Sequence, residues 1–250
     1  MTPVIRGTTG FANNKGVQIW YESLAANATH ATTERKPILF IMGIATDGLG
    51  WENVFLDYLI AEGYPVIRID NRDVGMSDWV DYTQNPYTLS DMAGDAVAVL
   101  DHLGIEKAHI CGVSMGGMIA QIVALEHPER VASLIPIMSS AWVLAPFGFH
   151  WRSIQTLWRM FSSIAAARKN PTPETILQLQ YKMYSIMLGM RCTDVIPYDI
   201  IKANFECNYY DRKKYNPRAF LHQFRAIWAS GSRKAILKNL NAYTYYTRHT

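Results

Sequence analysis

No two cysteines of this chain stand in a C-x-x-C pair. The three present, Cys111, Cys192 and Cys207, leave an odd thiol however they are bridged, which argues against a disulfide framework and a structural zinc site and for reduced thiols. Blocks of like charge are missing too. The 24 basic and 21 acidic side chains are dispersed and sum to a net charge of +3, so tracking along nucleic acid is excluded as a main activity. No apolar run approaches the ~18 residues of a membrane span, and the opening MTPVIRGTTGF carries one Arg and no sustained apolar stretch of a signal peptide. These absences predict a cytoplasmic protein with no nucleic-acid partner and no membrane span. Internal repeats and low-complexity segments are also lacking. What is present is a chain of 250 residues, 49% hydrophobic and 18% charged, enough for one globular domain with room for an inserted subdomain.

The apolar pattern alternates between two periods. Residues 8–12 and 17–22 read as strands flanking the turn-forming Asn13-Asn14-Lys15-Gly16, a hairpin at the start of a sheet. Pro37 to Met42 is a short, wholly apolar run ending at Gly43, as expected of a strand buried on both faces. A helix follows, with Trp51, Val54, Phe55, Tyr58 and Leu59 on one face and Gly63 at its end. Val66 to Ile69 is the next strand. Thr88 and Asp91 have the spacing of a capping box that opens a helix to about Leu103, closed by Gly104. Strand 108–113, helix 115–126 and strand 131–138 complete the alternation, with His127-Pro128 between the last two. The expectation is an α/β protein with a doubly wound, mostly parallel sheet, which binds ligands at the carboxyl ends of its strands. After Ser140 the chain turns to helix-like segments rich in Trp, Met, Phe and Tyr. Trp151, Ile154, Trp158 and Phe161 share a face, Pro171-Thr-Pro173 divides the region, and Asn216-Pro217 introduces an amphipathic helix with Phe220, Phe224, Ile227 and Trp228. The expected domains are a core over 1–140, an inserted helical cap over 141–214, and a return helix to the core over 215–250.

Gly112-Val-Ser-Met-Gly116 is a G-x-S-x-G sequence between a predicted strand and a predicted helix. A serine exposed on a tight strand-to-helix turn needs space beside it, and Gly112 and Gly116 provide that space. Ser114 is therefore the candidate nucleophile. Attack on an acyl carbon creates an oxyanion that needs backbone N–H donors already in place. Met115 supplies one at the start of the helix, and the turn Met42-Gly43-Ile44-Ala45 supplies the other through Ile44. Asp70, Arg72 and Asp73 also attract attention, but charged groups at a Gly-containing strand end more commonly hold a loop through hydrogen bonds to backbone.

Met42-Gly43-Ile44, Asp70-Asn-Arg-Asp-Val-Gly-Met-Ser77 and Gly112-Val-Ser-Met-Gly-Gly117 together resemble the α/β-hydrolase fold family, in particular its esterase-like and lipase-like branch. The resemblance runs from about residue 8 to 241 and includes Tyr215-Asn-Pro217, Gln223 to Ile227 and Ala229 to Arg233. It implies a serine hydrolase with no metal and no organic cofactor. Members with an aspartate nucleophile act as dehalogenases and epoxide hydrolases, whereas the elbow here carries Ser114, which favours acyl transfer. The aromatic and Met-rich segment suits an apolar pocket, so the expected partner is an apolar small-molecule ester.

Serine needs a histidine to take its proton and a carboxylate to orient that histidine. In this fold they follow in the order Ser, Asp or Glu, His, on loops after the last two strands. Neither loop is matched in this chain, which stops where the seventh strand is expected, so the C-terminal strands are read as missing. His127, His150, His222 and His249 follow Ser114, as do Asp194, Asp199 and Asp211, and none is assigned as a partner. Loss of such a triad member costs on the order of a million-fold in turnover, leaving about 10³ to 10⁴ over water. Two alternatives stay open: a non-catalytic ligand-binding homologue and an inactive fragment. An uncovered sheet edge would also permit oligomers by strand pairing.

Overall fold

The computed structural model describes residues 4–26, 35–141, 172–188, 198–213 and 215–238, together with 155, 158, 159, 162 and 163. It divides into two compact units, one formed by residues 1–143 and 218–250 and the other by 144–217.

The first unit is built on β1 (Thr8–Asn14), β2 (Val17–Leu24), β3 (Ile38–Ile41), β4 (Val66–Ile69), β5 (Ala108–Val113) and β6 (Val131–Ile137). They form one sheet in the order β1-β2-β4-β3-β5-β6. β1, β2 and β4 pair antiparallel, whereas β4, β3, β5 and β6 run parallel, so the sheet is mixed and mostly parallel. The opening hairpin is tighter than the four-residue turn expected from sequence. β1 continues through Asn14, and only Lys15 and Gly16 turn, both with positive φ (51° and 89°). That is the pattern of a two-residue turn matched to strand twist.

Helices α1 (Asn53–Ala61), α2 (Leu89–His102) and α3 (Met115–Glu126) alternate with the parallel strands. α2 opens with the expected capping box: Thr88 Oγ1 accepts from the Asp91 N–H, and Asp91 Oδ2 accepts from the Thr88 N–H at 2.8 Å. α3 is buried over its first ten residues, which explains why its sequence reads apolar all round. α1 departs from expectation. It starts at Asn53, two residues beyond Trp51, and buries Leu56 while Val54, Phe55 and Tyr58 stay exposed. Its sequence is apolar on nearly every side, so periodicity could not select the face. Trp51 instead packs before the helix, its ring 4.7 Å from that of Phe40.

One charge pair is wholly enclosed. Arg68 of β4 donates through Nε to Glu22 Oε2 of β2 at 2.6 Å, and its other nitrogens donate to the carbonyls of Trp51 and Val4. Glu22 Oε1 accepts from the Arg6 and Gly7 N–H groups. Both residues have 0% exposure, so neither charge can fall back on water if its partner is removed.

After β6, α6 (Ala219–Ala229) and the short α7 (Lys234–Leu237) belong to this first unit. The second unit contains α4 (Pro173–Leu188) and α5 (Tyr198–Glu206), packed through Ile176, Leu177, Ile201 and Phe205. α4 opens on Pro173, a residue suited to a first helical turn. The face expected from Trp151, Ile154, Trp158 and Phe161 lies outside the described residues except for Trp158, which is exposed. No strand follows β6 among the described residues.

Glu22→Ala is expected to lower stability by about 3–5 kcal/mol, because it strands the buried Arg68 charge. Asp57→Ala, which removes a half-exposed partner of Arg6, should cost no more than about 1 kcal/mol. Urea denaturation of the two variants beside the wild type measures both, and equal effects would contradict the burial argument.

Candidate active site

The parallel register sets the site. Ile41 of β3 pairs with Gly112 of β5, so two residues further on Gly43 comes level with Ser114. A Cβ on Gly43 would lie 3.5 Å from Ser114 Cβ, which is ordinary contact. The elbow itself needs closer approach. A Cβ on Gly112 would stand 2.2 Å from the Gly116 carbonyl oxygen, and one on Gly116 would stand 2.1 Å from that of Ile41. No side chain survives such distances, so both glycines are required by space.

Ser114 has φ 54° and ψ −115°, a conformation that an L residue adopts only when its surroundings impose it. The restraints are visible. The Ser114 N–H donates to the Ile137 carbonyl at 2.8 Å, and its carbonyl accepts from the Met118 N–H and from Ser139 Oγ. The side chain is half-buried and its Oγ makes no hydrogen bond among the described residues. Strain is not confined to the elbow. Ala45, Asp73, Ser114 and Met138 all have positive φ, and each lies within four residues of the end of a parallel strand. The carboxyl edge of the sheet, where ligands bind in open α/β folds, is thus the strained edge of this one.

Met115 begins α3, and the first N–H groups of a helix have no acceptor within it. The Met115 side chain is buried in the main core, and Ile44 packs half-buried against that core. Neither the Ile44 nor the Met115 N–H donates to an acceptor among the described residues. Ile44 follows Gly43 and Met115 follows Ser114, the two residues that the strand register brings level. Cys111, on the strand leading to the elbow, is no rival nucleophile, because burial pushes its thiol up to about 12.

The charged residues after β4 hold loops. Asp70 accepts from the N–H groups of Gly48 and Met76 at 2.8 Å each, and Gly75 presses so close to it that a Cβ would meet Oδ2 at 2.1 Å. Arg72 grips Asp95 through two nitrogens at 2.6 and 2.7 Å. Burial alone would lower the Arg72 pKa, but the hydrogen bond and charge of Asp95 outweigh it and hold the guanidinium more firmly protonated than usual. Asp73, fully buried, accepts from the Tyr87 hydroxyl at 2.6 Å and the Val80 N–H at 2.7 Å, and meets His222 Nδ1 at 3.1 Å. Burial, then the neighbouring Asp73 charge, pushes the Tyr87 pKa upward, which keeps its hydroxyl a donor.

α6 corrects the sequence reading. Of the expected apolar face Phe220, Phe224, Ile227 and Trp228, Ile227 is buried but Trp228 is exposed, while His222 and Gln223 are buried. Hydrophobic periodicity could not find them, since their burial depends on partners in the strand-end loops: Asp73 for His222, and Ala45 and Arg72 for Gln223. His127 lies at the end of α3, where its N–H donates to the Val123 carbonyl. His150, His249 and Asp194 fall outside the described residues. Asp199 lies in the first turn of α5 and Asp211 ends the turn that follows that helix, both in the second unit. Among the described residues no histidine bonds to Ser114, and no group of three or more His, Cys, Asp or Glu side chains is disposed to hold a metal ion. No helix among them is long and apolar enough to cross a membrane.

Residues 36–160, half of the chain, match the family described as the alpha/beta hydrolase fold. The chain belongs to this family. It is 36% identical over 133 residues to rhodomycin D methylesterase DnrP of Streptomyces peucetius, an alignment covering 53% of this chain and 43% of that relative. It is 32% identical over 114 residues to 3-oxoadipate enol-lactonase 2 of Acinetobacter baylyi, covering 46% of this chain and 41% of the relative. The chain thus spans less than half the length of these curated relatives in the aligned regions. The crystal structure of a hydrolase from Pseudomonas aeruginosa superposes with a TM-score of 0.64 at 24% identity, covering 95% of this chain and 78% of that one; this likeness speaks to the fold alone.

Ser114→Gly should raise stability by about 1 kcal/mol by releasing the imposed φ, whereas Ser114→Ala should not. Gly116→Ala should cost at least about 1–3 kcal/mol, the range for overpacking. Thermal unfolding of the three variants tests the elbow; a Ser114→Gly variant no more stable than Ser114→Ala would contradict the strain.

Proposed function

We propose that this alpha/beta hydrolase is a serine hydrolase that cleaves a carboxylic ester of an apolar small molecule through an acyl-Ser114 intermediate. Ser114 Oγ attacks the ester carbonyl carbon and loses its proton to a general base. The carbonyl π electrons move to oxygen, and the resulting oxyanion accepts hydrogen bonds from the Ile44 and Met115 N–H groups. Collapse expels the alcohol with a returned proton and leaves the acyl group on Ser114. Water then repeats the sequence and releases the acid. The observation that carries this reading is the strained Ser114 held level with Gly43, between two turns whose amides have no acceptor among the described residues. Oxyanion donors of this kind are worth about 10²–10³ in turnover each. The relatives, a methylesterase and an enol-lactonase, agree with ester chemistry.

A second reading has an observation of its own. Since no histidine among the described residues bonds to Ser114, the same edge without a proton relay would be a ligand-binding site of low turnover. A fluorophosphonate probe separates the two. Labelling at Ser114, abolished by Ser114→Ala, is the expected result. Absence of labelling together with retained binding of an apolar ester would support the binding protein.

A further inference from the structure

We infer that Gln223 is a positioning residue for the Ile44 amide; the inference rests on the hydrolase reading of Ser114. Gln223 has 0% exposure and uses both ends of its amide on backbone far away in sequence. Its Oε1 accepts from the Ala45 N–H at 2.6 Å, and its Nε2 donates to the Arg72 carbonyl at 2.8 Å. It thereby ties the turn after β3 to the loop after β4.

That turn needs a brace. Gly43 places no Cβ restraint on the backbone beside Ser114, and Ala45 is held at φ 56°, a left-handed conformation unfavourable for alanine. The peptide joining Ile44 to Ala45 is fixed at both ends, its N–H by Gln223 and its carbonyl by the Thr46 hydroxyl at 3.3 Å. The preceding peptide is restrained by the Thr46 N–H on the Gly43 carbonyl, and the one before it by Asn71 Nδ2 on the Met42 carbonyl at 2.9 Å. The carbonyls of Met42, Gly43 and Ile44 and the Ala45 N–H are thus tied down, while the Ile44 N–H itself donates to no acceptor among the described residues. A flip of either adjacent peptide would turn the amide away or present a carbonyl oxygen where negative charge develops. Gln223 opposes that flip without touching the reacting atoms.

The test uses the full chain. Gln223→Met keeps the length and removes both hydrogen bonds. Gln223→Glu keeps the acceptor and regains the donor only when its carboxyl is protonated. For a folded Gln223→Met protein, the Ala45 amide should exchange hydrogen about tenfold faster or more while β3 and β4 keep their protection, and fluorophosphonate labelling of Ser114 should slow by about 100-fold. The labelling rate of Gln223→Glu relative to wild type should rise as the pH falls from about 8 to about 5, as its carboxyl gains a proton. Wild-type labelling rates in Gln223→Met, or unchanged exchange at Ala45, would overturn the assignment. If Gln223→Met fails to fold, a pH-independent ratio for Gln223→Glu overturns it. If the wild-type protein does not label, the serine-hydrolase reading fails on its own account, and the exchange measurement alone decides whether Gln223 holds the turn.

Discussion

Backbone meets backbone where the first turn of α3 lies against the ends of β3 and β5, and the site depends on that approach. At Gly112 and Gly116 there is no space for a single carbon. Because both positions are glycine, α3 can start directly over the sheet, and the chain must reverse from strand to helix within one residue. That residue is Ser114, and its positive φ is the geometric consequence. The hydroxyl is lifted half-clear of a packed core by the same contact that buries Met115 beneath it.

Strain at the elbow has a counterpart at each neighbouring strand end. Ala45, Asp73 and Met138 share the left-handed backbone sense, and each sits among restraining hydrogen bonds. The Ala45 N–H is taken by Gln223, the Asp73 side chain engages Tyr87, Val80 and His222, and Ser139, next to Met138, donates to the Ser114 carbonyl. Conformations of this kind persist where the surroundings over-determine them. Here the surroundings come from polar side chains reaching across loops, above a core that is apolar. The edge is thereby stiffened, which suits the proposed oxyanion donors: donors held in advance cost no reorganisation when the charge appears.

Two consecutive residues of α6, His222 and Gln223, carry much of this bracing, and both insert polar groups into buried positions. Their burial is tolerable because each finds a partner, a carboxylate for one and two backbone groups for the other. The same principle explains Asp70, whose carboxylate accepts from two N–H groups of surrounding loops. These charged residues around the strand ends shape the site while the proposed chemistry stays with Ser114 and two main-chain amides.

Much of the fold was legible in the sequence because its signals are local. Continuous apolar runs marked β3, β4 and β5, the Thr88–Asp91 spacing marked the start of α2, and G-x-S-x-G between strand and helix marked the elbow, each within a dozen residues. The buried faces of α1 and α6 were not legible. α1 is apolar on nearly every side, so its own residues could not choose between Leu56 and Val54. α6 buries His222 and Gln223 against residues about 150 positions earlier, and no periodicity within a helix encodes that. The sequence by itself determined the order of strands and helices and the place of Ser114 on a strand-to-helix turn, since both follow from steric and hydrophobic preferences of neighbouring residues. Only the tertiary structure decided that Gly43 lies beside Ser114 and that Gln223 holds Ala45, because those contacts arise from strand register and loop packing, where distant segments meet.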